Sequence, residues 1–181
     1  MSDLISSDLD SDMKNSWRTD PRVFNAINKE FDFSLDGAAS HANTKVANNY
    51  LTIDDDALAV DWSKVELNYK GSGEFVKTAW INPPYSRGMI KKFMNKCIEQ
   101  KEKGVTSVLL VPATLDAQWL PISDISEIRI ITGGRLTFIH PESGKPVAGN
   151  TKGSMFVIFR PSKMPCTVRL IDRDELLEAG T

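Results

Sequence analysis

Residues 77–89 read KTAWINPPYSRGM, and Asn82-Pro83-Pro84-Tyr85 put a carboxamide, two imino acids and a phenol into four consecutive positions. Neither proline can donate to a ladder, and each turns its predecessor away from helical backbone, so the apolar run Ala79-Trp80-Ile81 must end here. Asn82 offers a carbonyl oxygen that accepts hydrogen bonds. The stiff Pro-Pro step presents the carbonyl of Pro83 at a fixed angle. Two acceptors aimed at one point suit a planar NH2 group, and the ring of Tyr85 suits the face of an aromatic heterocycle. The chemistry this serves is alkylation of an aromatic amine, a poor nucleophile because its lone pair is delocalised into the ring. Acceptors on both N–H bonds favour a pyramidal nitrogen and stabilise the positive charge that develops during attack, with no general base required beforehand. The plain alternative is a rigid loop with a buried Asn cap.

Other chemistries have less to work with. Cys97 and Cys166 lack metal-ligand spacing and read as reduced, structural cysteines. His41 and His140 stand 99 positions apart in turn-like surroundings, which argues against a metal site and against a Ser/His/Asp triad. Net charge is −2 over 181 residues, with 41% hydrophobic and 25% charged residues, ordinary for a soluble globular chain. The charge is unevenly spread. Residues 1–12 carry four acids and no base, and residues 171–181 a net of −3, so the body from 13 to 170 holds +5. A mildly basic body is compatible with a polyanionic partner without diagnosing one. The longest apolar runs, such as VTSVLLVPA at 105–113, are too short to span a bilayer, and the acidic, Ser-rich start is the opposite of a secretory leader. The expectation is a cytoplasmic protein without membrane contact.

The elements that must position the Asn-Pro-Pro-Tyr corner follow from local patterns. Residues 1–15 read as an acidic flexible tail, 16–171 as a single domain, and 172–181 as an acidic C-terminal tail. Thr19 or Asp20 is placed to cap a helix whose first residue is Pro21, with Val23, Phe24, Ile27 and Phe31 at helical spacing. A short strand ends at Asp36, followed by the small-residue turn Gly37-Ala38-Ala39. Residues 75–81 read as a strand, and 89–104 as an amphipathic helix with Ile90, Phe93, Met94, Cys97 and Ile98 inward and Lys91, Lys92, Lys96, Lys101 and Lys103 outward. VTSVLLVPA reads as a buried parallel strand. DAQWLPIS reads as a short helix, EIRIITGGRLTFIH as two strands around Gly133-Gly134, and SMFVIFRP and TVRLI as two more. This alternation predicts an α/β chain with a mostly parallel, doubly wound sheet and antiparallel edge strands. Ligands of such sheets sit beyond the carboxyl ends of the strands, where Asp36 and Asn82 both fall.

Asn-Pro-Pro-Tyr after a strand resembles the catalytic motif of S-adenosylmethionine-dependent amino-methyltransferases. From Trp17 to about Pro161 the chain is similar to one family in particular, the phage-type adenine-specific DNA methyltransferases (Dam-like). The blocks WRTDPRVFNAINKEFDFSLDGAAS, NTKVANNYLTIDDDALAVDW, AWINPPYS, VLLVPA, GGRLTF and SMFVIFRP follow in the family's order. Asp20 departs from the pattern, standing between Thr19 and Pro21 where the family commonly has Thr-Pro directly. No G-x-G-x-x-G occurs, so the turn Asp36-Gly37-Ala38-Ala39 must let the cofactor approach the backbone.

The resemblance implies a Rossmann-like methyltransferase fold. It implies S-adenosyl-L-methionine held by Trp17, Thr19, Pro21, Asp36, Gly37, Ala38 and Asn82, with Asp56 as a ribose contact. Asn82, Pro83, Pro84 and Tyr85 would receive an adenine of double-stranded DNA flipped out of its helix, in a bacterial or phage-infected cell. Other readings stay open: Asp36 as a helix N-cap, Trp17 as a core anchor, another planar amine or amide such as RNA adenine or protein glutamine as substrate, or a silent nucleic-acid-binding module. Candidate DNA contacts are Arg135, Lys145, Lys152 and Lys91, with Lys92, Arg129 and Arg160 behind them. A GATC-like site is implied by analogy alone. No separate recognition domain fits in the chain, so selectivity falls to loops 63–75 and 139–153 or to a second subunit, the protein being a monomer or weak dimer.

Overall fold

The computed structural model describes residues 18–67, 73–86, 88–140, 143–147 and 152–181. Trp17 and the acidic segment 1–15 lie outside the described residues. The described strands are β1 (Arg18–Thr19), β2 (Leu35–Asp36), β3 (Thr78–Ile81), β4 (Thr106–Pro112), β5 (Glu127–Thr132), β6 (Phe138–Ile139), β7 (Pro146–Val147), β8 (Ser154–Phe159) and β9 (Thr167–Asp172). The α-helices are α1 (Pro21–Phe31), α2 (Met89–Glu102) and α3 (Arg173–Ala179).

Helix α1 starts at Pro21, where the missing proline N–H costs nothing, and Asp20 caps it by accepting from the Arg22 N–H at 2.9 Å. Its buried face is Val23, Phe24, Ile27 and Phe31. Helix α2 buries Ile90, Phe93, Met94 and Cys97 as its spacing predicts, but Lys96 and Lys101, expected to face outward, are buried too. Lys101 threads its stem inward and donates from Nζ to the Asp124 carbonyl at 2.8 Å, while Lys96 meets Glu99 at 3.2 Å. Long stems lie along apolar surface as long as the ammonium finds an acceptor. Residues 114–124 form turns rather than the expected helix, because Pro121 cannot continue an i→i−4 ladder.

The main sheet has the order β2-β3-β4-β8-β5-β9. The β2–β3, β3–β4 and β5–β9 pairs are parallel, and β8 runs antiparallel to both β4 and β5. The expectation of antiparallel edge strands is thus corrected: the antiparallel strand is interior and both edges run parallel to their neighbours. Among the described residues no crossover helix separates β5 from β8. The chain leaves β5 at the sheet's carboxyl end, makes its β6 and β7 excursion there, and can only re-enter in the opposite direction. All six residues of β8 are buried, so its apolar run reads the same in either direction.

Helices cover both faces. Alternate strand residues Trp80, Val108, Leu110, Phe156 and Ile158 pack with α1, α3 and Phe33 on one side. Ala79, Ile81, Leu109, Val111 and Val157 pack with α2 and Trp62 on the other. The C-terminal segment, expected as an acidic tail, is instead β9's last residue and helix α3. Asp172 caps α3 by accepting from the N–H groups of Asp174 and Glu175, and Leu176 is buried against α1. Acids in this segment complement a helix N-terminus.

Arg129 and Arg160 are corrected as DNA candidates. Both sit toward the amino end of the sheet, Arg129 buried and holding Glu30 at 2.6 Å and Glu127 at 2.7 Å, Arg160 holding Glu127 at 2.8 Å. Their guanidinium groups lie 5.5 and 5.3 Å from the Phe31 ring centroid. This network clamps the end of α1 to the sheet.

Candidate active site at the carboxyl ends of β2 and β3

Parallel pairing sets Asp36 opposite Trp80, so the tips of β2 and β3 lie side by side. The Gly37 N–H donates to the Trp80 carbonyl at 2.9 Å, stitching the turn after β2 onto β3 just before Asn82. A Cβ on Gly37 would stand 2.5 Å from Ile81 Cδ1 and 3.5 Å from Trp62, so any larger residue would have to push the buried Ile81 aside. That adds a structural reason to the expected close approach of a ligand.

Asp36 is 3% exposed, and its carboxylate accepts from the Lys45 N–H at 2.8 Å and the Ala38 N–H at 3.3 Å. Burial dominates over these bonds and pushes its pKa up to about 6. Lys45 folds over the tip, donating from Nζ to the Thr19 carbonyl at 2.9 Å, and burial lowers its pKa. Thr19 is buried, and its Oγ1 accepts from Asn82 Nδ2 at 3.0 Å. Strand β1 is only two residues long, yet it carries this contact and anchors a second sheet, β1-β6-β7, beside the corner.

Asn82 is half-buried and Pro83 buried, a corner fixed on one side and open on the other. Tyr85 remains 38% exposed while its hydroxyl donates to the Leu110 carbonyl at 3.2 Å. Burial of that hydroxyl raises its pKa. The phenol is therefore tethered at one end with part of the residue left open.

The structure brings together Thr19, Asp36, Gly37, Ala38 and Asn82 from the expected set. Pro21 is exposed and serves as the first residue of α1. Asp56 is exposed with a left-handed φ of 47° at the end of a 3-10 turn, Ile53–Asp55. That loop joins the site through Leu51, which donates to the Asp36 carbonyl at 2.8 Å and accepts from the Ala39 N–H at 3.0 Å. Lys45 is a residue to which sequence reasoning gives no role, although it stands in the block NTKVANNYLTIDDDALAVDW, nine positions after Asp36.

The candidate DNA contacts share the site's end of the sheet. Arg135 follows the Gly133-Gly134 turn at the carboxyl end of β5, and Lys91 lies on the first turn of α2 after the Pro-Pro corner. Lys152 stands one residue, Gly153, before the start of antiparallel β8, and Lys145 lies in the β6–β7 turn. All four are exposed. An open groove of about 840 Å³ lies at the opposite end, lined by Phe33, Ser34, Phe75, Lys77 and Thr78 among others and by none of the corner residues.

No group of three His, Cys, Asp or Glu among the described residues is placed to hold a metal ion. No helix among them is long and apolar enough to cross a membrane.

A mixed α/β sheet covered on both faces, with an acidic turn and an Asn-Pro-Pro-Tyr corner at adjacent strand tips, is consistent with a methyltransferase-like fold. Comparison with known proteins sharpens that class. The model of the family "DNA N-6-adenine-methyltransferase (Dam)" matches residues 6–181, and the chain belongs to this family. It is 31% identical over 168 residues to the DNA N-6-adenine-methyltransferase of Escherichia phage T1, covering 83% of this chain and 65% of that protein. It is 31% identical over 153 residues to the protein of the same name from Haemophilus phage HP1, covering 82% of this chain and 80% of that one. The chain thus spans just under two thirds of the phage T1 protein. No solved structure matches the chain significantly.

Proposed function

We propose that this chain methylates the exocyclic 6-amino group of adenine in duplex DNA, with S-adenosyl-L-methionine as donor. The observation that carries the reading is the placement of the Asn82 carboxamide, held from behind by Thr19, next to the buried Asp36 turn. The residues fit the donor. Asp36 is an ionisable carboxylate whose burial is only partly compensated by two backbone N–H groups, and a cationic amino-acid end would offset that cost. S-adenosylmethionine would supply an electrophilic methyl group there: the S–CH3 bond would break to leave a neutral thioether as the N–CH3 bond forms, and the amine's surplus proton would pass to water.

The protein's own part is orientation and electrostatics. Asn82 Oδ1 and the Pro83 carbonyl accept the two N–H bonds of the target amine, and Tyr85 packs on the flipped base and offsets its lost stacking. Arg135, Lys145, Lys152 and Lys91 meet phosphates along the rim. Asp56, Gly37 and Ala38 border the cofactor, and Trp17 and Pro21 remain the expected flank of it.

Tritiated methyl incorporation into unmethylated duplex DNA tests the reading, with single strands and RNA as competitors. We expect incorporation into the duplex, and Asn82→Ala to abolish it with S-adenosylmethionine affinity nearly unchanged by calorimetry. Intact cofactor binding without incorporation counts against adenine in DNA as substrate; wild-type turnover by Asn82→Ala removes the two-acceptor corner from the mechanism.

A further inference from the structure

We infer that Thr19 is the positioning residue that holds the Asn82 carboxamide in place between the two strand tips, an inference that rests on the role proposed above for Asn82. The two ends of a carboxamide are nearly isosteric, and its terminal torsion is broad and close to two-fold. Packing holds such a group loosely, so a buried hydrogen-bond partner is what keeps it in place. Asn82 Nδ2 donates to Thr19 Oγ1 at 3.0 Å, which leaves Oδ1 as the end that accepts from a substrate amine. The Thr19 hydroxyl can accept or donate, and the substrate amine itself selects the flip, because the opposite one sets N–H against N–H.

Thr19 is built to hold still. It is 3% exposed, its backbone pairs with Phe138 of β6, and its carbonyl accepts from Lys45 Nζ at 2.9 Å. The Lys45 N–H in turn rests on Asp36 at 2.8 Å. A chain of contacts, Asp36 to Lys45 to Thr19 to Asn82, therefore spans the two strand tips and ties the amide's position to the turn after β2. A two-residue strand that buries a threonine at this point has its reason in that chain.

The test pairs a spectroscopic readout with turnover. In 15N-labelled protein the Asn82 side-chain amide signals are identified by their loss in Asn82→Ala. We expect one of its protons to exchange slowly in the native chain and in Thr19→Ser, and rapidly in the near-isosteric Thr19→Val. Thr19→Val should lower kcat roughly ten- to a hundredfold, the scale of a misplaced group. KM for DNA should stay within about twofold, since a group acting in the transition state moves kcat alone. Thr19→Ser should restore most of the rate. An unchanged Asn82 amide signal in Thr19→Val, wild-type kcat in that variant, or no rescue by Thr19→Ser overturns the inference. Wild-type turnover by Asn82→Ala overturns the role of Asn82 itself and Thr19's catalytic part with it, whereas the exchange measurement reads the hydrogen bond regardless.

Discussion

Asp36 holds a carboxylate that burial drives up to about 6 from an ordinary 3.8, and the direction has two consequences. An acid whose folded pKa is raised gives stability that is fully present below about 4 and is lost as pH climbs through about 6. The full loss is about 3 kcal/mol at 1.36 kcal/mol per pH step. Urea unfolding across this window should show a declining midpoint, and Asp36→Asn should flatten that decline. If the carboxylate faces a cationic cofactor end, S-adenosylmethionine should bind more tightly as pH passes about 6, and Asp36→Asn should lose that dependence in titration calorimetry. Tyr85 separates two roles within one residue. Tyr85→Phe removes only the tether to the Leu110 carbonyl, whereas Tyr85→Ala removes the ring. Base–aromatic stacking is worth about 1–3 kcal/mol, so Tyr85→Ala should suppress 2-aminopurine fluorescence at a flipped target site far more than Tyr85→Phe does.

Helices α1 and α3 hold each other through Leu176 and through two contacts from α1, Lys29 Nζ to the Ala179 carbonyl at 2.6 Å and Asn25 to the Gly180 carbonyl at 3.3 Å. Leu176→Ala should cost about 2–3 kcal/mol by urea unfolding, toward the low end for a buried leucine because the site is near the surface. At the other end of α1, Arg129→Ala leaves Glu127 buried with one cation fewer, and the loss should be on the order of 3 kcal/mol. Burial opposes the Arg129 charge, yet the bonds to Glu30 and Glu127 outweigh it and leave its pKa raised, the signature of a committed partner rather than an available phosphate contact. Elements with strong local signals were legible in the sequence: Pro21 behind Asp20 for α1, and the inward row of α2. Elements defined by what packs on them were not. The turn at 113–126 covers Lys101, which helical spacing alone places in solvent, and residues 173–179 look like a tail until α1 gives Leu176 a surface to bury.

Charge over the whole molecule matters by where it gathers. The sheet's direction puts Arg135, Lys91 and Lys152 at the end that carries Asn82, while the paired arginines 129 and 160 stay at the other. Duplex affinity should fall linearly with log salt, and Lys145→Ala should reduce that slope by about one if it meets one phosphate. Asn82→Ala should leave the slope unchanged; fluorescence anisotropy over a salt series reads both. The order of residues along the chain determined the corner itself, since Asn82-Pro83-Pro84-Tyr85 ends a strand through bonds that proline cannot make, and it determined the small-residue turn after Asp36. Only the tertiary structure decided that these two tips are neighbours, that β8 enters the middle of the sheet in reverse, and that Thr19, 63 positions upstream, stands behind the Asn82 amide. The physical reason is range. Proline geometry, capping and periodicity act over a few residues, whereas strand order and a hydrogen bond between remote side chains exist only once the two cores have packed.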